Sequence, residues 1–184
     1  MPLDSGHTND AVKWFAMSAP FRKELAAKSQ LDRRSIENFV PMHYTVRTRG
    51  GRKRRECVPA IHNLIFVRST KADIQTAKQE IGFIQYLTRR ENGRNVPIVV
   101  PDEQMQQFIA VSGTLDEKLV YLRPDEINLS CGTSVRILGG PFDGVEGIFV
   151  KVQGHRSRRV VVLVEGIAAV ATAEIEPDLI EILR

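Results

Sequence analysis

Histidine, cysteine and carboxylate side chains are the groups that could catalyse a reaction or hold a metal, so their spacing is read first. The four histidines, His7, His43, His62 and His155, are scattered, and none has a partner at metal-ligand spacing. Cys57 and His62 lie five positions apart across Pro59; they would give a shared metal two ligands, and a closed zinc site takes four. The carboxylate pairs Asp102 with Glu103 and Asp125 with Glu126 fall at an expected helix start and in an expected connecting segment, where the helix dipole and solvation account for them. No GxSxG, Walker phosphate loop, HExxH or CxxC run is present. Gly139, Gly140, Gly144 and Gly147 look like a phosphate cradle, yet their run joins a strand to a strand and offers an anion no helix N-terminus. The expectation is a protein that is not an enzyme, holds no metal and no cofactor, and works by binding.

What it would bind is suggested by charge. Arg47, Arg49, Arg52, Lys53, Arg54 and Arg55 put six cations and no acid into nine residues, while the rest of the chain carries 20 basic against 22 acidic side chains. Such a run suits a polyanion, because each phosphate neutralised releases counterions; the plain alternative is a solvated hairpin tip.

The elements that must position these residues follow from composition and periodicity. With 184 residues, 42% hydrophobic and 26% charged, the chain is an ordinary globular composition of one domain or two small ones. Its longest apolar stretches, Val160–Val164 and Ile167–Ala171, are five residues each, far short of a bilayer span. The opening MPLDSGHTNDA has neither a basic nor an apolar signal region, so a cytoplasmic location is expected, with Cys57 and Cys131 as reduced thiols.

In the N-terminal part, strands are expected at 14–18, 36–40, 43–48, 64–67, 83–87 and 96–100. A helix should begin at Pro20 and run over Phe21, Leu25 and Leu31; others should occupy 71–81 and 102–111. The two extended arms around Gly50–Gly51 predict a β-hairpin carrying the basic run. Glycines concentrate from residue 130 onward, where five short strands are expected at 135–138, 148–152, 160–165, 168–173 and 179–183. The alanine-rich 167–174 stretch is ambiguous between helix and strand. The fold class is α+β: an antiparallel sheet with packed helices over 12–112, a linker at 113–129, and a small β-barrel over 130–184.

Two features resemble a known family. Residues 132–152, GTSVRILGGPFDGVEGIFVKV, strongly resemble a KOW motif in an SH3-like barrel. Upstream, Trp14-Phe15, Glu24 ten residues later, Val40-Pro41, the basic tip Arg49-Gly-Gly-Arg-Lys-Arg-Arg55 and Asn63-Leu-Ile-Phe-Val67 are similar, in order and spacing, to the N-terminal domain of NusG-like factors. The resemblance implies a transcription elongation and antitermination factor whose N-terminal domain docks the clamp helices of the largest RNA polymerase subunit through Trp14, Phe15, Ile61, Leu64 and Phe66; a monomer is the default expectation. It further implies that Arg49, Arg52, Lys53, Arg54 and Arg55 contact upstream DNA or an acidic surface. The KOW domain would recruit a ribosomal protein or the termination factor Rho through Phe142 and Ile167, the latter standing where the family has an aromatic. Ala60-Ile-His-Asn-Leu64 departs from the housekeeping Phe-Phe-Pro-Gly-Tyr and is similar to specialised, operon-dedicated paralogues of the RfaH or UpxY type. A housekeeping NusG-type factor and an RNA- or ribosome-binding KOW module are the alternatives.

Overall fold

The computed structural model describes residues 11–123, 126, 132–152, 154, 156–164, 166–172 and 175–183. The expected boundary at 129–130, together with His7, Pro124, Asp125, Cys131, His155, Glu165 and Ala173, lies outside them. In chain order the elements are β1 (Lys13–Ser18), α1 (Glu24–Asp32), β2 (Glu37–Phe39), β3 (Met42–Arg49), β4 (Arg52–Pro59), β5 (Leu64–Ser69), α2 (Lys71–Ile81), β6 (Gln85–Tyr86), β7 (Thr88–Glu91) and β8 (Arg94–Pro97). There follow β9 (Val99–Val100), α3 (Asp102–Ser112), β10 (Val120–Leu122), β11 (Thr133–Ile137), β12 (Glu146–Lys151), β13 (Arg158–Val164), β14 (Ala168–Ala171) and β15 (Ile180–Ile182). They group into two compact units: residues up to Val40 with Asn63–Val99, and Pro41–His62 with Val100–Arg184. The hairpin and α3, expected within 12–112, thus count with the second unit.

The first unit is built on an antiparallel sheet in the order β2-β5-β1-β6, with β1 and β5 aligned from Lys13 opposite Ser69 to Ser18 opposite Leu64. Both inner strands are apolar on both faces, so Phe15, Ala16, Met17, Ile65, Phe66 and Val67 are all fully buried. Each large side chain removed from water here contributes about 1.5–3 kcal/mol. Helix α2 follows its sequence signals: the Thr70 hydroxyl accepts from the Asp73 amide at 3.1 Å, Ile74, Ala77 and Ile81 face inward, and Gly82 closes the helix at φ 75°. Helix α1 corrects the expectation. Phe21 and Arg22 take positive φ values of 60° and 58°, which no helix accommodates, so α1 starts at Glu24 rather than at Pro20 and Phe21 is left 86% exposed.

The second unit holds a six-stranded antiparallel sheet in the order β10-β14-β13-β12-β11-β15. Five of its strands are those expected, and the alanine-rich stretch resolves as strand β14. The sixth, β10, comes from within the expected linker. Its Val120 and Leu122 pack on the cluster of Val150, Val152, Val161, Ala169 and Ala171, an apolar payoff that draws a three-residue strand onto the sheet. Arg159 fastens the same segment by donating to the Lys118 carbonyl at 2.9 Å. Helix α3, with Met105, Phe108 and Val111 buried, lies against β13 and β14. The Gln107 side chain accepts the Glu146 amide at 3.0 Å.

Candidate functional site

The basic hairpin is a regular two-stranded ribbon. β3 and β4 pair from Met42 opposite Pro59 to Arg49 opposite Arg52, and Gly50 and Gly51 make the two-residue turn at φ 56° and 74°. Residues directly opposite share a face, and faces alternate along each strand. One face therefore carries Arg47 opposite Arg54 and Arg49 opposite Arg52, followed by Thr45 opposite Glu56. The other carries Thr48 opposite Lys53, Val46 opposite Arg55 and Tyr44 opposite Cys57. The run read as one patch is thus split, four arginines on one side and two cations on the other.

Local partners sharpen the division. Glu56 is the one acid on the arginine face, 3.9 Å from Arg47 and 3.6 Å from Arg49. Arg55 is occupied: its guanidinium lies 3.8 Å over the Tyr44 ring and pairs with Glu117. Arg52, Lys53 and Arg54 are exposed and, among the described residues, have no carboxylate partner. Like charges directly opposite each other disfavour a ribbon, so two adjoining Arg–Arg pairs make a surface that an anion would stabilise. Arg47 was absent from the expected contact set; strand alternation, applied to the hairpin, would have included it.

Outside the ribbon, cations are spread unevenly. Residues 12–40 and 63–99 hold twelve basic and six acidic side chains. Four of those acids pair with cations, Asp32 with Lys28, Glu80 with Arg34, Glu37 with Arg68 and Glu91 with Arg89. Asp73 accepts the hydroxyl of Thr70, the residue that caps α2, and Glu24 is buried. The positive field is therefore not confined to the hairpin, a point that the whole-chain balance concealed.

The five expected polymerase contacts are not together on an open face. Phe15 and Phe66 are completely buried, and Trp14 and Leu64 nearly so, at 4% and 3% exposure. Ile61 is half-buried and is followed by the exposed His62 and Asn63. Asn63 sits at φ 62°, and its amide donates to the Glu24 carboxylate at 2.6 Å. Of the two expected contacts on the β-domain, Phe142 is buried in a short 3₁₀ turn, Gly140–Phe142, while Ile167 is half-buried. Ile61 and Ile167 line one depression of about 300 Å³ with Ala60, His62, Tyr121, Leu122, Arg123 and Ala168. Tyr121 closes it, donating to the Met42 carbonyl at 3.3 Å, and its burial holds the phenol above the usual value.

Among the described residues no group of three His, Cys, Asp or Glu side chains converges, and no described helix is long and apolar enough to cross a membrane. What the arrangement offers is a cationic ribbon and a small apolar depression, the chemistry of binding.

Comparison with known proteins adds the family. No curated protein matches the chain. A solved structure of NusG from Thermotoga maritima, titled for its domain interaction, is similar over 95% of this chain and 98% of that one, at 15% identity and a TM-score of 0.46. The family model described as transcription termination factor nusG matches residues 12–109. That match takes in more than half of the chain, including β1, the basic ribbon, β5 and α2, and on it the chain belongs to the NusG family of transcription factors.

Proposed function

We propose that this protein rides on RNA polymerase as an elongation and antitermination factor and is a specialised, operon-dedicated member of its family. The match over residues 12–109 carries the reading; NusG-family proteins bind RNA polymerase and are not catalysts. The partner surface is the clamp helices of the largest polymerase subunit. Within the expected contact set, Ile61 is the half-buried side chain, while Trp14, Phe15, Leu64 and Phe66 are buried in the sheet of the first unit and give that sheet its shape. The ribbon, with Arg49, Arg52 and Arg54 on one face and Lys53 on the other, contacts upstream DNA by phosphate attraction without reading sequence. The β-domain from residue 130 onward takes a second partner, a ribosomal protein or Rho, through Phe142 and Ile167. The protein acts as a monomer in the cytoplasm.

The test is transcription in vitro. Purified polymerase is run across a template with a terminator, with and without the full-length protein, and the fraction of read-through transcript is measured. Increased read-through is expected. Unchanged read-through, together with salt-sensitive binding to ribosomal RNA, would favour an RNA-binding module instead, the reading that the cationic ribbon supports by itself.

A further inference from the structure

We infer that Glu24 is a positioning residue for polymerase docking: its buried carboxylate holds the backbone of Asn63, and through it the Ile61–His62 turn, in the docking shape. The inference rests on the reading of Ile61 as a polymerase contact. Glu24 is only 1% exposed although it opens α1, and a carboxylate stays buried only where polar partners compensate the water it loses. Its Oε1 accepts the Asn63 amide at 2.6 Å, a short charge-assisted hydrogen bond. The Asn63 carbonyl is held as well, by the Ala19 amide at 3.2 Å. Both backbone groups of Asn63 are therefore fixed by the segment from Ala19 to Glu24. They are fixed with φ at 62°, a conformation that non-glycine residues seldom adopt unless something holds them there. The two residues immediately before it, Ile61 and His62, are the half-buried and exposed members of the turn into β5 and are joined by the chain to the residue that this clamp holds. Glu24 touches no partner itself.

Full-length variants test it, with two readouts: exchange of the Asn63 amide by NMR, and affinity for RNA polymerase core. Glu24→Met keeps the length and removes the acceptor. It should speed exchange at Asn63 and weaken polymerase binding about tenfold, the scale of one hydrogen bond to a charged group. Glu24→Gln retains an acceptor oxygen and should stay within about threefold of wild type. Adding Asn63→Gly to Glu24→Met should restore affinity, because glycine adopts positive φ unaided. Asn63→Val, which resists that φ while leaving Glu24 in place, should reproduce the loss even if Glu24→Met fails to fold. Wild-type affinity in Asn63→Val, or a Glu24→Met defect that Asn63→Gly does not relieve, would overturn the role and leave Glu24 as a support of the fold alone. Ile61→Asp is measured alongside. If it binds polymerase like wild type while Glu24→Met frees the Asn63 amide, the docking reading has failed and the positioning role falls with it.

Discussion

Gly147 shows how one residue can be required for its lack of a side chain. A Cβ there would lie 2.6 Å from the Val161 carbonyl oxygen and 2.8 Å from a Val160 methyl, inside any tolerable contact, and the first of these is backbone that cannot swing aside. Gly147→Ala should therefore destabilise the β-domain by about 2 kcal/mol, as overpacking does, and a lowered urea midpoint would show it. Gly144, five residues after the Gly139–Gly140 pair begins, is needed for the other reason, its φ of 77° with open space around it. The sequence motif held both possibilities for these glycines, and only the fold separates them. The same limit applied to Leu64. Alternation along β5 suggested that Leu64 and Phe66 could turn one face to a partner, but the neighbouring residues Ile65 and Val67 are just as apolar and the strand is buried on both sides. A strand without polar alternation does not announce which side is open.

At the scale of elements, the ribbon is where alternation does most. Because Arg47 and Arg54 face one way and Lys53 the other, charge reversal should not be equivalent around the hairpin. The double variant Arg47→Glu/Arg54→Glu should lower DNA affinity and flatten the slope of log affinity against log salt by about two phosphate contacts; Lys53→Glu should change that slope by less than one. Filter binding or anisotropy at several salt concentrations measures both, and equal effects would mean the ribbon face does not matter. The β10 segment allows a pH prediction. Burial raises the Tyr121 phenol in the folded protein, so its contribution to stability is complete below the unfolded value of about 10 and is lost as pH rises through the higher folded one. Ultraviolet titration of the phenols should show a late step above about pH 10 that Tyr121→Phe removes. Most elements were legible because local signals agreed with packing, as at α2 between Thr70 and Gly82. Two escaped. The β7–β8 ribbon turns on Asn92-Gly93, both at positive φ, a strong hairpin signal hidden in an otherwise polar stretch. β10 is three residues long and owes its pairing with β14 to the apolar cluster it joins, which nothing local reveals. Family membership was legible in the motif order; the burial of Trp14, Phe15, Leu64 and Phe66 was not, since β1 and β5 are apolar on both faces and show no alternation.

For the whole molecule, two kinds of attraction have to be told apart. A net charge of +4, concentrated in the ribbon and in the twelve cations of residues 12–40 and 63–99, gives a long-range pull towards any polyanion, and salt weakens it steeply. An apolar contact centred on Ile61 would be local and nearly indifferent to salt. A factor that travels with polymerase needs the second kind to stay bound and the first to approach its template. The most direct test is the affinity of the full-length protein for RNA polymerase core, measured for wild type and Ile61→Asp at low and high salt. Placing a charge in the contact should weaken binding by more than about tenfold, the cost of losing a central interface residue, while the wild type keeps most of its affinity at high salt. Ile61→Asp binding as tightly as wild type, with both collapsing as salt rises, would contradict the account.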